Sequence, residues 1–508
     1  VSTTTRADRQ RHTSKWLVLG ICCLSLLIVS MDVTIVNVAL PSIRTGLRTT
    51  VSQLQWTVDG YTLAVASFLL IAGFTADRIG RRRVFQIGLA VFSIGSLACS
   101  LAPSIGFLIA ARVLQGIGGS MLNPVAMSII TNTFTERKER ARAVGVWGAV
   151  VGVSMALGPL VGGALTESIG WRAIFWVNVP IGIAAIILTA VFVPESRAAR
   201  ARKFDPLGQI YVIVALVCLV YALIEAPRAG WGSPLILGLF ALAVASVAGL
   251  IVHERRTAEP FIDLRFFRSI PFSSATLTAV LGFSSYGAFL FVNALYLQDV
   301  RGLSPLQTGV YMFPLALATL ICSLLSGRLV GRFGTRPSLM IAGCMLAISA
   351  LSMTFLTPHT PDALLIGTYI VFGIGFGMIN APITTTAVSG MPLSQAGVAA
   401  GLASTSRQTG SSVGVAIAGT VTGVGAASAI GPAFAGATHP LWWIVFGSGL
   451  AVAAIGVVST SRWAHGTAQR VRHLLEEAPV TTGSLRVARS VGAAATGPAT
   501  GGTEPGTR

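Results

Sequence analysis

The chain has 508 residues, 53% of them hydrophobic and only 11% charged, with a formal net charge of +18 and a mean hydropathy of +0.75. Soluble domains carry about 25% charged residues, so a deficit spread over this length excludes a water-soluble globular protein and indicates a polytopic membrane protein. The positive charge would point to nucleic acid in a soluble chain, but here the basic residues collect in short stretches between apolar runs, the loop pattern of membrane proteins, and no nucleic-acid partner is expected.

Taken in chain order, runs long enough to cross a bilayer, about 20 residues each, fall at approximately 16–38, 54–75, 84–102, 106–131, 143–165 and 173–193. Two more follow at 207–226 and 233–252. The last six are 272–297, 306–330, 338–357, 363–389, 397–425 and 441–460. This layout predicts a polar N-terminus (1–15) with no cleavable signal peptide and a six-helix bundle (16–193). Next come linkers with two extra spans (194–268), a second six-helix bundle (269–460) and a tail (461–508). A short helix is predicted at Arg470–Glu477, and disorder from Thr481 to Arg508, where Gly, Ala, Thr and Ser dominate without an apolar period. The loops on one side hold about 29 Lys and Arg, and those on the other about 5 (Arg44, Arg48, Arg172, Arg228, Arg301), which places both termini in the cytoplasm.

A charged stretch between the second and third spans, Gly73-Phe74-Thr75-Ala76-Asp77-Arg78-Ile79-Gly80-Arg81-Arg82-Arg83-Val84-Phe85, organises this layout. It reads as a short loop at the membrane exit, with Gly73 and Gly80 permitting a tight backbone at either end. A weaker copy, Gly327-Arg328-Leu329-Val330-Gly331-Arg332-Phe333-Gly334-Thr335-Arg336, follows the second span of the last six. It lacks an acidic residue, with Val330 read as standing where Asp would fall. Two parallel halves around a central cavity is a transporter plan.

Charged residues within spans cost about 2.5–3.5 kcal/mol each on insertion scales and are functional candidates for that reason. Asp32 lies in the first span and Asp59 in the outer part of the second. Burial disfavours the charged form of a carboxylate, so both are candidate proton carriers or partners of a cationic substrate. A static pair with an arginine is the bland alternative for Asp32. Arg112 shares a helix face with Gln115, Gly116 and Gly119. It cannot deprotonate, so its expected role is to modulate a nearby carboxylate, or simply to pair with one. Asp32→Asn and Arg112→Ala are expected to fold and to lose proton-dependent transport. Asp32, Asn37, Glu225 and Arg407 are the substrate-binding candidates. In the fifth span, small residues recur at four-residue spacing for close helix contact, and Pro159 removes a backbone donor.

The thirteenth span occupies the matching place in the second half, with Arg407, Gly410, Ser411 and Gly414 on one face. Gly410-Ser411-Ser412-Val413-Gly414 spells G-x-S-x-G, but a hydrolase elbow needs a strand-to-helix turn and this stretch is apolar helix. The lysines, Lys15, Lys138 and Lys203, match no phosphate-cradling loop, so an ion gradient or a partner chain must drive transport. The six cysteines fall in apolar runs as packing residues. The six histidines fall in loops or tails, and no metal site or cofactor is expected.

Together these motifs resemble the major facilitator superfamily in its fourteen-span drug:proton antiporter branch (EmrB/QacA-like), over roughly residues 16 to 460. The opening loop is similar to the superfamily's G-x-L-a-D-r-x-G-r-k pattern, with Thr75 where Leu is usual. Arg112 to Gly119 resembles the span-four motif, and Asp32 to Pro41 the span-one motif. Gly145, Ser154, Gly158, Pro159, Gly162 and Gly163 resemble the span-five antiporter motif, with Ser154 where Gly is usual. Trp171-Arg172, Phe175, Asn178 and Pro180 are also typical of the branch. The resemblance implies an all-α fold of two six-helix bundles plus two central helices, acting as a monomer in the bacterial plasma (inner) membrane, in contact with lipid. It further implies export of hydrophobic, often cationic compounds in exchange for protons, with antibiotic self-resistance as one setting. Gly73, Asp77, Arg78, Gly80 and Arg81 would hold a cytoplasmic gate. Uptake of a small metabolite by symport is the alternative on the same fold.

Overall fold

The computed structural model describes residues 6–197, 205–257, 262–423 and 430–476, and every described element is helical. The expectation for Thr481–Arg508 lies outside these residues. The helices are α1 (Arg6–Leu47), α2 (Val51–Ile79), α3 (Arg81–Ser100), α4 (Ile105–Thr133), α5 (Arg137–Ser168) and α6 (Asn178–Phe192). A central hairpin follows, α7 (Pro206–Ala229) and α8 (Pro234–Arg256). The second half is α9 (Ile270–Leu295), α10 (Pro305–Phe333), α11 (Thr335–Met353), α12 (Asp362–Val388), α13 (Leu393–Val421) and α14 (His439–Ser459), followed by α15 (Arg462–Glu476).

The starts of these helices are written in polar caps. Thr50 with Gln53 forms a capping box on α2, and Ser304 with Gln307 forms one on α10, each satisfying otherwise orphaned N–H groups. Asp205-Pro206 and Ser233-Pro234 open α7 and α8, where proline lacks only a hydrogen that the first turn would leave free. α2 and α10 are both 29 residues long, and each is ended by a glycine at positive φ, Gly80 (128°) and Gly334 (79°). Caps and terminating glycines keep the same separation in both helices, so the repeat seen in the charged loop extends over the whole second helix of each half. Aligned on those glycines, Asp77 corresponds to Gly331, not to Val330.

The structure also corrects the loop itself. Gly73 lies inside α2, where an added Cβ would meet nothing, and the turn is Gly80 alone between two helices. The tail helix is longer than expected, starting at Arg462. His253 lies in the last turn of α8, not in a loop, and bonds Asp205 at 2.9 Å.

Thirteen described helices are long and apolar enough to cross a membrane. The expected span that falls outside this set is α13, rich in Ser, Thr, Gly and Gln. It packs against α9, α2, α7 and α12. A helix enclosed by protein need not match the apolarity of lipid.

The halves pack alike. α1 lies on α5 as α9 lies on α13, α2 on α4 as α10 on α12, and α3 on α6 as α11 on α14. Two helix pairs make most of the contact between the halves, α5 with α10 and α2 with α13, and α1 adds smaller contacts with α9 and α10. Close approach in these pairs rests on glycine. A Cβ on Gly158 would strike Thr34 Oγ1, and one on Gly162 would stand 2.7 Å from Ile35 Cγ1, both on α1. A Cβ on Gly163 would strike Pro305 O and stand 2.8 Å from Leu306 Cα, on α10. Gly309 of α10 answers it, since a Cβ there would lie 2.9 Å from Pro159 C. The expected single face of small residues is therefore two faces, one inside the bundle and one across the seam. Gly145 belongs to neither, since a Cβ there would meet nothing. α13 repeats the inner face in the second half: a Cβ on Gly410 would lie 2.6 Å from Val280 O, and one on Gly414 would strike Ser284 O.

Hydrogen bonds that tie the halves together gather at the ends opposite the first helix's N-terminus. Arg44 meets Asp299 at 2.7 Å, Gln298 donates to Val38 O at 2.7 Å, and Glu167 accepts from Ser304 Oγ at 2.6 Å and from Leu306 N at 3.0 Å. Gln55 is fully buried and donates to Val415 O at 2.9 Å; its amide fills the space that Gly419 leaves free. The molecule is thus closed on that face.

Candidate transport site

The ionisable side chains within the spans form separate environments. In the first half, α4 turns Arg112 inward, and Gly116 and Gly119 let α2 approach: a Cβ on Gly116 would lie 2.6 Å from Tyr61 O. Arg112 Nη1 donates to Asp32 Oδ2 at 2.5 Å and to Gln115 Oε1 at 2.7 Å, while Nε donates to Thr57 O at 3.0 Å. Gln115 donates to Asp32 Oδ1 at 2.8 Å and to Ser96 Oγ at 2.7 Å, and Asn178 donates to Asp32 Oδ1 at 3.3 Å. The guanidinium lies 4.3 Å from the centroid of the Tyr61 ring, a cation–π distance. Both charged side chains are excluded from solvent, at 1% and 0% exposure. Each oxygen of Asp32 is occupied, so this is the paired arrangement that a buried charge requires.

Asp59 differs. It is also fully buried, but its neighbours are hydroxyls: Oδ1 accepts from Ser412 Oγ at 2.8 Å and from Thr62 Oγ1 at 3.4 Å. Oδ2 has no hydrogen-bond partner. No cation lies within ion-pair distance among the described residues. Ser412 belongs to α13, so this carboxyl spans one of the two seams between the halves. Asp59 also shares α2 with Thr57, which anchors Arg112.

Other expected residues are placed elsewhere. Asn37 donates back to Val33 O of its own helix at 2.9 Å. Glu225, near the C-terminal end of α7, accepts from Ser52 Oγ at 3.1 Å and Trp56 Nε1 at 3.3 Å on α2. Arg407 lies between α9, α12 and α13 in the second half. Ser154 is buried and bonds Val150 O of its own helix at 2.6 Å.

At the turn, Asp77 meets Arg81 at 2.9 Å. Arg81 N donates to Ser196 O at 2.9 Å, Arg82 N to Glu195 Oε1 at 3.1 Å, and the Arg82 guanidinium to Ala190 O at 2.6 Å. These bonds tie the turn to the end of α6, within its own half. Arg78 is exposed.

Sequence reasoning gave no role to Ser96, Tyr61, Ser412 or Gln55. Ser96 and Tyr61 read as ordinary span residues, and Ser412 appeared only as part of a rejected motif. The signal that was present is polarity inside an otherwise apolar run.

The sequence profile of the Major Facilitator Superfamily matches residues 22–415. The chain belongs to this superfamily. Among its curated relatives, it is 39% identical over 398 residues to the multidrug resistance protein Stp of Mycobacterium tuberculosis, covering 78% of this chain and 74% of that protein. It is 37% identical over 406 residues to the tetracenomycin C resistance and export protein of Streptomyces glaucescens, covering 80% and 75%. It is 36% identical over 414 residues to the puromycin resistance protein pur8 of Streptomyces alboniger, covering 80% and 82%. A crystal structure of a bacterial homolog of the human lysosomal transporter Spinster shares the fold. Its TM-score is 0.57 at 18% identity, covering 92% of this chain and 99% of that one.

Proposed function

We propose that this superfamily member is a proton-coupled antiporter of the fourteen-span drug:proton branch. It exports hydrophobic compounds from the cytoplasm by alternating access, in the bacterial plasma membrane, with both termini cytoplasmic. Relatives named for multidrug resistance, antibiotic resistance and export support the direction and the cargo class. The observation that carries the coupling is Asp59, a buried carboxyl with no countercharge among the described residues, hydrogen-bonded across the seam to Ser412. A proton on Asp59 removes an uncompensated buried charge and changes a bond that joins the halves, so protonation and the inter-half equilibrium are linked. Asp32, held by Arg112, Gln115 and Asn178, braces the first bundle beside it. One charge crossing 100 mV supplies about 2.3 kcal/mol, enough for modest accumulation per proton.

Inverted membrane vesicles with an imposed pH gradient test this reading. Compound should accumulate in vesicles acidified inside and leave when the gradient collapses, and Asp59→Asn should fold normally yet lose the dependence on the gradient. Uptake in the opposite sense would establish symport. Undiminished gradient-driven flux in Asp59→Asn would remove Asp59 from the coupling.

A further inference from the structure

We propose that Arg407 and the aromatic rings beside it form a subsite for an acidic group on the exported compound, so that planar aromatic anions are preferred cargo. This rests on the efflux reading and narrows its substrate class.

The argument begins with charge balance inside the membrane. Arg112 is neutralised by Asp32, and Glu225 takes donors from Ser52 and Trp56 at the outer seam. Asp59 touches only hydroxyls. Arg407 is the guanidinium left over: among the described residues no carboxylate lies within ion-pair distance of it. Its Nη2 donates to Thr384 Oγ1 at 2.7 Å and to Asn380 O at 3.4 Å, both on α12. Its Nε is closed off from solvent and has no hydrogen-bond partner. A guanidinium offers five N–H donors in a planar fork that matches a carboxylate or an acidic enol. Arg407 as a whole is half-buried, but a solvent-excluded donor left unused on it is costly, and an acceptor supplied by cargo relieves that cost.

The surroundings specify the rest of the cargo. Phe283 of α9 lies 5.9 Å from the guanidinium carbon. Phe283 meets Phe376 edge-on at 5.0 Å, and Phe376 stacks on Tyr286 at 4.0 Å. Thr384, the hydroxyl that holds the guanidinium, is exposed, so the group is reachable from the surface of the protein. Phe376 and Tyr286 are buried and back the half-buried Phe283, so Phe283 beside the cation is the ring left for a flat aromatic body carrying an acidic oxygen. Arg407 and Ser412 share α13, so occupancy at the subsite and protonation of Asp59 act on one helix. Anion export and proton import both move charge in the direction favoured by an inside-negative potential, whereas exchange of one monocation for one proton is electroneutral.

The full chain in proteoliposomes, with fluorescein (anionic) and rhodamine 6G (a cationic xanthene of matched ring system), tests the assignment. Wild-type protein should transport fluorescein at lower KM than rhodamine 6G and accelerate with an imposed membrane potential. Arg407→Gln should raise the fluorescein KM about tenfold, the scale of a lost charge-assisted hydrogen bond, with rhodamine 6G flux and thermal unfolding unchanged. Arg407→Lys should recover part of the loss. An unchanged ratio of the two dyes in Arg407→Gln, or an equal fall in both, would overturn the subsite while leaving proton-driven efflux in place. Gradient-driven movement of neither dye by wild-type protein would count against both the subsite and the efflux reading.

Discussion

The two faces of α5 predict opposite consequences for the same substitution made five residues apart, nearly one and a half turns. In Gly163→Ala the new methyl strikes Pro305 O and stands 2.8 Å from Leu306 Cα and 2.9 Å from Pro305 C. Carbon atoms pack at about 3.5–4.0 Å, so backbone must give by roughly 1 Å. Overpacking of this kind costs about 1–3 kcal/mol, and here the cost falls only on the state in which the C-terminal end of α5 meets the N-terminal end of α10. The equilibrium should move about 5- to 150-fold toward the state open on that face. In Gly158→Ala the methyl meets Thr34 Oγ1 and lies 2.9 Å from Thr34 Cβ, inside the first bundle. That contact persists in both states, so the substitution should lower thermal stability without shifting the equilibrium. Spin labels at Ile169 and Phe355, exposed by 75% and 73%, placed on a cysteine-free background, report the outer distance by double electron–electron resonance. A distribution in Gly163→Ala that matches the unsubstituted protein, or an equal shift in both variants, would refute the division of α5 into an inner and a cross-seam face.

Three further outcomes follow from the same geometry. Arg112→Ala strands Asp32 as a buried unpaired carboxylate, a loss of about 3–5 kcal/mol, so it should express poorly or unfold at lower temperature. This revises the expectation from sequence that it folds unchanged, and a fluorescence-detected melting curve decides it. Glu225→Gln keeps an acceptor for Ser52 and Trp56 and should melt like wild type. Glu225→Leu loses both bonds, about 0.5–1.5 kcal/mol each, and should expose the α2–α7 seam to limited proteolysis. Asp77→Asn removes an i,i+4 pair worth about 0.3–0.5 kcal/mol, so stability should hardly change. Transport reduced well beyond that, measured as initial efflux rate, would assign the turn a part in gating, and normal transport would leave it an orientation signal.

Much of the architecture was written locally. Ser and Thr caps before Pro or apolar turns, with Gly80 and Gly334 after them, mark where helices begin and end, because capping and positive φ are decided by a few neighbouring residues. Intramembrane charge singled out Asp32, Asp59 and Arg112 for the same reason, since one charged residue in a long apolar run is conspicuous. What the sequence could not show was pairing. Asp32 and Asp59 look alike along the chain, and only packing reveals that one faces a guanidinium on α4 and the other a serine from the opposite half. The turn around Gly80 looked like a longer loop because its charges imply water, yet helices continue through charged residues once they leave the lipid. Gly145 matched a motif by spacing although a Cβ there would meet nothing, whereas Gly419, in no motif, makes room for Gln55.

The central hairpin gives the molecule a sidedness that its doubled plan hides. α7 lies over α2 and α13, bonding Ser67 O through Gln209 and Thr420 through Leu223 O, whereas among the described residues neither helix of the hairpin packs on the α5–α10 seam. Of two slits related by the internal repeat, one is shuttered from the bilayer. On the proposed efflux reading, a compound that dissolves first in the membrane and approaches sideways would meet the seam along α5 and α10, the one that the described hairpin leaves uncovered.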